Sequence, residues 1–387
     1  MDIIQSIKEK FISLYGQEPF LARSPGRINL IGEHTDYNDG FVLPAAIDKA
    51  IYFAAIARED KEINLFAYDL NEHYHGTIDN LVKSGQHWPD YILGSLQQLQ
   101  LAGHKLNGFN AVIGGDVPLG AGLSSSAAVE CASLFAFSKI FNLQVSKLTI
   151  AKDAQRAEND FVGVRCGIMD QFASVFGKKD HVIKLDCRSL EYEYLPFKLD
   201  NIKIVLFDTH VKHSLASSEY NLRREQCEEG VILLKKQHPE INSLRDATQH
   251  MIDEIIKPVD EVIYRRCSYV VQEIARLQAA CTDLKANDMI AFGKKMYETH
   301  AGLKNDYEVS CKELDFLIDY VKPNPGVLGA RMMGGGFGGC TINLIKNDAL
   351  KKLESEIVPA YKKANDLDLK IYEMQIENGT EGISVMQ

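Results

Sequence analysis

The chain has 387 residues, of which 45% are hydrophobic and 25% charged, and its formal net charge at pH 7 is −10. These values are typical of a globular protein with room for two domains, each with its own core. The acidic balance argues against nucleic acid or an anionic membrane surface as the main partner.

The first half of the chain alternates between strand and helix patterns. A helix is predicted over 2–15, followed by strands over 27–32, 41–43, 50–57 and 63–67, a helix over 91–101 and a strand over 109–113. A Gly-rich loop at 118–126 then leads directly into a helix that ends near Phe141, and further helices are predicted from Lys147 to Glu158 and from near Asp170.

The second half is richer in long, charged helices. Strands are predicted over 181–186, 202–208, 341–345 and 369–375, and helices over 218–236, 259–278, 285–299 and 311–320. The change in character near 190–200 indicates an N-terminal domain of 1–195 and a C-terminal domain of 196–387, whose last strand has the option of returning to the first domain. No repeat or low-complexity segment interrupts this mixed α and β pattern.

Polar residues are concentrated between Arg23 and Gly40, in RSPGRINLIGEHTDYNDG. Glu33, His34 and Asp36 fall within four residues on what reads as an irregular loop. Carboxylates and an imidazole in this arrangement suit hydrogen bonds to sugar hydroxyls, because a carboxylate accepts paired O–H bonds and so discriminates among epimers. A metal site and a solvated turn remain alternatives.

The segment PLGAGLSSSAA, residues 118–128, predicts an anion site. Its glycines allow tight bends and a close approach to a ligand, and the small hydroxyl residues lie where a helix begins with unpaired N–H groups. The GK[ST] ending of a Walker loop is absent, so a metal is the expected counter-charge. An ordinary capped turn is the alternative.

Asp170 and Glu158 are two further carboxylates that are candidates for a functional role. Asp170 lies among small and apolar residues at a predicted helix start, where it is either a base or simply an N-cap. Glu158 alone would pass as surface charge.

Gly334, Gly336 and Gly339 formally match GxGxxG, but a strand pattern follows them, so a dinucleotide site is not expected. This cluster is either a backbone packed against a neighbour or a flexible turn.

The eight cysteines form no CxxC pair and no zinc-type spacing with histidine. We interpret them as reduced, mostly structural thiols. The N-terminal MDIIQSIKEKF lacks the apolar segment of a signal peptide, so a cytoplasmic location is expected.

Together these segments resemble the galactokinases of the GHMP kinase superfamily. RINLIGEHTDYNDGFVLPAAID is similar to the galactokinase N-terminal motif, PLGAGLSSSAA to the superfamily's ATP-binding loop, and MMGGGFGGC to its C-terminal glycine motif. The resemblance extends over the whole chain. Three long motifs in this order are specific, whereas either glycine loop alone would be weak.

The resemblance implies an α+β, two-domain GHMP-kinase fold with the active site in the interdomain cleft. It also implies transfer of the γ-phosphoryl group of ATP to the anomeric hydroxyl of α-D-galactose, the first committed step of galactose catabolism in the Leloir pathway. The residues at the matching positions are Asp170 as base with Arg27 as its electrostatic partner, Glu33, His34, Asp36, Gly167 and Tyr220 around the sugar, Gly120, Ala121, Gly122, Leu123, Ser124, Ser125 and Ser126 around ATP, Trp88 near the adenine, and Ser126 with Glu158 at Mg²⁺.

The expected ligands are therefore galactose, ATP and Mg²⁺, with no nucleic acid, membrane or obligate protein partner. An N-acetylgalactosamine kinase and a non-catalytic galactose and ATP sensor are the alternatives. The sensors that resemble galactokinases lack the Ser-Ala pair found here at Ser126 and Ala127. Phosphoryl transfer depends on alignment and charge neutralisation, and Arg27 beside Asp170 is expected to keep that carboxylate ionised.

Overall fold

The structure is a computed structural model that describes residues 3–118, 120–211 and 216–383. Leu119, in the predicted phosphate loop, lies outside the described residues. Within them, no helix is long and apolar enough to cross a membrane.

Among the described residues, the first half of the chain forms eight strands and five α-helices. Its strands are β1 (Phe20–Asn29), β2 (Phe41–Val42), β3 (Pro44–Ala57), β4 (Glu62–Ala67), β5 (Glu72–Thr77), β6 (Phe109–Gly115), β7 (His181–Asp186) and β8 (Tyr192–Pro196). Its helices are α1 (Ile3–Tyr15), α2 (Trp88–Leu101), α3 (Ser125–Ile140), α4 (Lys147–Arg156) and α5 (Met169–Phe176), and a π-helical turn, Ala157–Val162, continues α4.

The second half is mostly helical. Its helices are α6 (Ala216–Lys235), α7 (Gln249–Ile255), α8 (Glu261–Lys285), α9 (Met289–Asn305), α10 (Lys312–Val321) and α11 (Asn347–Asn365). Its strands are β9 (Ile202–Asp208), β10 (Val327–Met332), β11 (Cys340–Lys346), β12 (Lys370–Met374) and β13 (Glu381–Gly382).

Three sheets organise these strands. A six-stranded sheet has the order β13-β1-β3-β6-β4-β5 and is antiparallel except between β4 and β6. A four-stranded antiparallel sheet has the order β10-β11-β9-β12, and β2-β7-β8 form a third. The β13–β1 pairing places a segment from the end of the described chain beside the strand that carries Arg27.

Helix α3 is a core helix, and this fixes the loop in front of it. It packs on β1 and β3, and Phe137 makes edge-on ring contacts with Phe53 and Phe109 at centroid distances of 5.7 and 4.8 Å. Its small residues Ala127, Ala128 and Ala132 are fully buried, so the sheet approaches its backbone closely. The helix start at Ser125 is therefore held rigidly by the core.

Most predicted elements are present, with shifted ends. Strand β1 begins at Phe20, seven residues before the predicted start. Six elements have no sequence prediction, namely β5, β8, α7, β10, α11 and β13. Strand β13 has only two residues, too few for a periodic pattern. Helix α11 does bury Leu350, Leu353, Ile357 and Tyr361 at helical spacing, but Pro359 inside it argues against a helix in the sequence.

Two site-bearing segments also differ from prediction. Helix α4 ends at Arg156, so Glu158 lies in the π-helical turn and does not close an α-helix. Asp170 is the second residue of α5, after Ile168 at the N-cap, and its carboxylate is directed to Arg27. The N-cap interpretation of Asp170 is therefore wrong. All eight cysteines are free thiols, and five of them are buried.

Candidate active site

A cleft of about 420 Å³ lies between the two halves of the chain and gathers most of the predicted site residues. Its walls come from β1, the loop after it, the phosphate loop, the π-helical turn, α5, α6 and the glycine loop between β10 and β11. The predicted residues that line it are Arg27, Glu33, His34, Asp36, Gly120, Gly122, Leu123, Ser124, Ser125, Ser126, Glu158, Gly167, Asp170 and Tyr220.

The phosphate loop has the backbone of an anion cradle. Gly120, Gly122 and Ser124 have positive φ angles of 78°, 74° and 56°, alternating with the residues between them. Left-handed residues in such an alternation turn backbone N–H groups toward one side, where they favour an anion. The start of α3 at Ser125 adds unpaired N–H groups and the positive end of the helix dipole.

A second glycine loop supports the first. Gly334 and Gly339 lie against Gly122 and Ala121, where an added Cβ would come within 3.5–3.6 Å of the phosphate-loop backbone. At Gly336 (φ 90°) a Cβ would overlap the carbonyl of Val309. The predicted close backbone packing is confirmed. Ala121 is fully buried in this contact, so it supports the loop from beneath.

Arg27 and Asp170 form a bidentate ion pair on the floor of the cleft. Arg27 Nε and Nη2 donate to the two carboxylate oxygens of Asp170 at 2.8 and 2.9 Å. A register shift in β1 at Gly26 re-aims the strand, and Arg27 Nη1 also donates to the Gly122 carbonyl at 2.6 Å. The Ser124 hydroxyl donates to the same carboxylate. The carboxylate is thus oriented by both the strand and the phosphate loop.

Ser126 and Glu158 are neighbours in the wall of the same cleft. The Ser126 hydroxyl hydrogen-bonds to the Glu158 carboxylate, which also accepts from Gln171 Nε2 at 2.8 Å and from Cys166 Sγ at 3.5 Å. Burial raises the pKa of Glu158 to about 7, and Asp170 adds to the rise. A hydroxyl beside a buried carboxylate with a raised pKa is a donor set that fits a divalent cation such as Mg²⁺.

Glu33 is held by residues far away in the sequence. Its Oε1 accepts from Arg331 Nη2 at 3.0 Å and from the Gly334 N–H at 2.7 Å. Burial alone would raise the pKa of Glu33, but the charges of Arg331 and Arg27 outweigh it and hold the pKa below its usual value. The carboxylate therefore anchors the loop between β1 and β2, residues 30–40 and here called the sugar loop, to the glycine loop, and Oε1 is already engaged.

Asp36 and Gly167 are in direct contact in the wall of the cleft. A Cβ at Gly167 would overlap the Asp36 carboxylate, so only glycine leaves that carboxylate its position. The Tyr220 ring covers this corner, 5.4 Å from the His34 ring and 5.5 Å from that of Tyr37 between centroids. The predicted sugar residues are brought together by three separate segments.

The metal interpretation of Glu33, His34 and Asp36 has no support in the structure. Across residues 3–118, 120–211 and 216–383, no group of three or more His, Cys, Asp or Glu side chains is arranged to hold a metal ion. The solvated-turn interpretation also fails for Glu33 and His34, which are only 2% and 4% exposed.

Trp88 does not line this cleft. It lies in an adjoining, largely apolar cavity of about 170 Å³, with Tyr91, Val129 and the hydroxyl residues Ser125 and Ser126 in its wall. The indole Nε1 donates to Glu72 at 2.8 Å. The two cavities meet at the start of α3, so a nucleotide with phosphates in one would direct its base toward the other.

The ionisation of Asp36 predicts how the ligand-free protein responds to pH. Burial, with a further contribution from Asp170, raises the pKa of Asp36 to about 7, against about 3.9 in an unfolded chain. Between these values the folded state binds the extra proton, so stability falls as pH rises from about 4 to 7. Asp36→Asn removes this titration. Its effect on the free energy of unfolding should therefore be more favourable at pH 8 than at pH 5, by about 1–3 kcal/mol.

The measurement is urea unfolding of wild type and Asp36→Asn at both pH values without sugar. The difference between the two proteins isolates Asp36, because every other group titrates in both. An identical difference at pH 5 and pH 8 would contradict the raised pKa.

Several residues that support the site were not predicted. Arg331 is fully buried and donates to Glu33 and to the carbonyl oxygens of Leu30, Asn29 and Met332. Gln171 bridges Glu158 and the fully buried Glu130, at 2.8 and 3.3 Å. Neither residue stands in a recognisable motif. A buried arginine inside a strand carries no local signal of a partner about 300 positions away.

Family models match three parts of the chain. The galactokinase galactose-binding signature matches residues 9–56, the GHMP kinases N terminal domain matches 90–178, and the GHMP kinases C terminal matches 280–363. The three matches contain, in order, the sugar loop, the phosphate loop with α5, and the glycine loop.

Similar proteins cover nearly the whole chain. The galactokinase of Thermotoga maritima is 42% identical over 93% of this chain and 99% of its own length, and that of Clostridium perfringens is 40% identical over 97% and 98%. The crystal structure of Lactococcus lactis galactokinase complexed with galactose superposes with a TM-score of 0.94 at 35% identity, over 98% of this chain and 100% of that one. The Methanococcus jannaschii mevalonate kinase (TM-score 0.66, 19% identity, 93% and 99% coverage) shares the fold.

Proposed function

The chain belongs to the galactokinase family of the GHMP kinases, and from this premise we propose that it transfers the γ-phosphoryl group of ATP to the anomeric hydroxyl of α-D-galactose. The product would be galactose 1-phosphate, formed as the first committed step of galactose catabolism. The observation that carries the proposal is the bidentate Arg27–Asp170 pair, which lies between the sugar loop and the phosphate loop in one cleft.

Asp170 is proposed as the group that accepts the proton of the anomeric hydroxyl. Its carboxylate is about one-quarter exposed to the cleft, while Arg27 behind it is only 6% exposed. The arginine holds the carboxylate by two hydrogen bonds and adds positive charge where the transferred phosphoryl group gains negative charge. Glu33, His34, Asp36, Gly167 and Tyr220 are proposed to hold the sugar.

Residues Gly120–Ser126 are proposed to cradle the phosphates of ATP through their N–H groups, with Trp88 beside the adenine. Ser126 and Glu158 would hold Mg²⁺, which when bound neutralises charge on the phosphates. Because the phosphate loop contains no lysine, neutralisation of the phosphate charge would depend on the cation and on Arg27.

Three further predictions concern the domains, the location and the partners of the protein. The division into domains 1–195 and 196–387, the cytoplasmic location and the absence of an obligate protein partner are predictions from the sequence. Limited proteolysis would test the first, because the most accessible linkers between domains are cut first.

A coupled assay of ADP release tests the function directly. The protein is supplied with Mg²⁺ and ATP, together with galactose, with N-acetylgalactosamine or with no sugar. ADP release that depends on galactose supports the proposal. Release only with N-acetylgalactosamine would indicate the other kinase, and binding of galactose and ATP without release would indicate a sensor.

The metal ligands give a separate prediction. Ser126→Ala and Glu158→Ala should each raise the Mg²⁺ concentration for half-maximal turnover at least about tenfold, because each removes an oxygen ligand. Calorimetric titration of Mn²⁺ into the protein with a non-hydrolysable ATP analogue provides a readout independent of turnover. Ser133→Ala, on the buried side of the same helix, is the matched control. Unchanged cation affinity in Glu158→Ala would remove Glu158 from this role.

A further inference from the structure

Behind His34 lies a buried chain of hydrogen-bonding groups that the proposed reaction does not use. His34 Nδ1 is 2.7 Å from the Tyr37 hydroxyl, which is 2.8 Å from the Tyr307 hydroxyl, which in turn is 3.2 Å from Cys227 Sγ. Tyr307, Cys227 and His34 are at most 4% exposed. The chain leads from the cleft wall into the core of the second half of the protein.

At neutral pH each member of this chain carries one mobile hydrogen. Burial lowers the pKa of His34 to about 4, so the imidazole is neutral and only one of its nitrogens is protonated. Burial also raises the pKa values of Tyr37 and Tyr307 well above the usual value for tyrosine, and it raises the pKa of Cys227 to about 11. These three groups therefore keep their protons. The hydrogens can therefore point in one of two directions along the chain.

Chemistry favours the direction toward His34. A phenol is a better donor than a neutral imidazole N–H, and the imidazole lone pair is a better acceptor than a phenol oxygen. At the far end a thiol sulphur is only a weak acceptor, so the reverse direction would leave the Tyr307 hydroxyl with a poor partner. The favoured order is Cys227 to Tyr307, Tyr307 to Tyr37, and Tyr37 to Nδ1.

The other imidazole nitrogen belongs to a side chain that lines the cleft. Nε2 is buried and makes no hydrogen bond of ordinary geometry within the described residues. The Gly335 carbonyl faces the ring as an acceptor, and since Tyr37 occupies Nδ1, this carbonyl also favours a proton on Nε2.

We propose that the Cys227–Tyr307–Tyr37 relay fixes His34 in its Nε2–H tautomer, so that His34 presents a hydrogen-bond donor to a sugar oxygen. Tyr37 is thereby a positioning residue for sugar specificity. The proposal rests on the proposed function, because it assumes that the sugar occupies the cleft beside His34. The relay itself is a property of the free protein.

The tautomer is measured by ¹⁵N NMR of histidine-labelled protein without ligands, with a His34→Gln sample to identify the His34 signals. We expect the Nε2–H form in wild type and in Tyr307→Phe, which keeps the Tyr37 hydroxyl. Tyr37→Phe removes the donor to Nδ1, so the ¹⁵N resonance of Nδ1 should move toward that of an imidazole nitrogen whose lone pair accepts no hydrogen bond. A wild-type Nδ1–H tautomer would overturn the proposal, as would a Tyr37→Phe spectrum identical to that of wild type.

Sugar binding gives the second arm. Tyr37→Phe should raise the galactose Kd and KM about tenfold, as expected for one misaligned hydrogen bond, and leave the KM for ATP unchanged. A series of deoxygalactoses, each lacking one hydroxyl, identifies the hydroxyl that His34 contacts. The analogue that lacks this hydroxyl should have the same Kd for wild type and for Tyr37→Phe, because the contact is already lost. At that position a deoxyfluoro sugar can accept weakly but cannot donate, so it should bind wild type more tightly than the deoxy sugar does.

Equal or weaker binding of the deoxyfluoro sugar would show that His34 does not donate and would overturn the proposal. The two hypotheses also fail in different ways. If galactose is not phosphorylated, the proposed function fails while the tautomer result is unaffected. If galactose is phosphorylated but His34 is the Nδ1–H tautomer, only the relay is wrong.

Discussion

Glucose should be phosphorylated with a kcat/KM at least about 10⁴-fold below that for galactose, the range for a site built to pair a substrate hydroxyl. The two sugars differ in the direction of the 4-hydroxyl. We expect Asp36 to accept from this axial hydroxyl and from its neighbour, because Asp36 lines the cleft and its carboxylate is held in place against Gly167. Glucose would leave a buried carboxylate oxygen without its donor.

The measurement is kcat/KM for both sugars, for wild type and for Asp36→Asn. The variant should lose most of its activity on galactose and much of its discrimination. Gly167→Ala is the matched steric test, because the added methyl would push the Asp36 carboxylate out of place without removing it. Comparable kcat/KM values for the two sugars in wild type would contradict the role of Asp36.

Asp170→Asn should lower kcat by at least about 10²-fold, the lower end for loss of one positioned base. The amide keeps the shape of the side chain and can still hydrogen-bond to Arg27 and Ser124, but it cannot accept a proton. Affinities for ATP and galactose should therefore stay close to those of wild type.

Single-turnover kinetics together with calorimetric titration of each ligand separate the two effects. Asp186→Asn is a control for loss of an arginine-paired carboxylate, since Asp186 pairs with Arg245 away from the cleft. Lost galactose affinity with unchanged turnover of the remaining complex would make Asp170 a positioning residue.

Where the predicted site residues stand in contiguous motifs, the structure brings most of them into one cleft. Gly120–Ser126 bend where glycine and small hydroxyl residues allow it, and a strand follows Gly334–Gly339, as expected from the pattern that argued against a dinucleotide site there. The fold class was predicted correctly, as the family matches show. These features depend on local chemistry or on long motifs.

Other features depend on contacts between distant segments, which a single sequence does not reveal. Arg331 reaches Glu33 across 298 positions, and the Tyr37 hydroxyl meets that of Tyr307 across 270. Helix α11 was missed although its apolar residues recur at helical spacing, because Pro359 inside it argues against a helix, and β5 was missed because it is a polar edge strand with little apolar alternation. Local periodicity contains no information about contacts such as Arg331–Glu33 and Tyr37–Tyr307, whose partners are far apart in the sequence.

The π-helical turn at Ala157–Val162 has a consequence for how this site tolerates change. A π turn accommodates one more residue than an α-helical turn, and its hydrogen bonds span five residues. Removing one residue here would restore the α-helical register and rotate the following residues by about 100°. Glu158 is 7% exposed and shares Gln171 with a second buried carboxylate, so its surroundings leave little room for such a rotation. Substitutions at this turn alter one side chain at a time, whereas an insertion or deletion would change which side chains face the nucleotide.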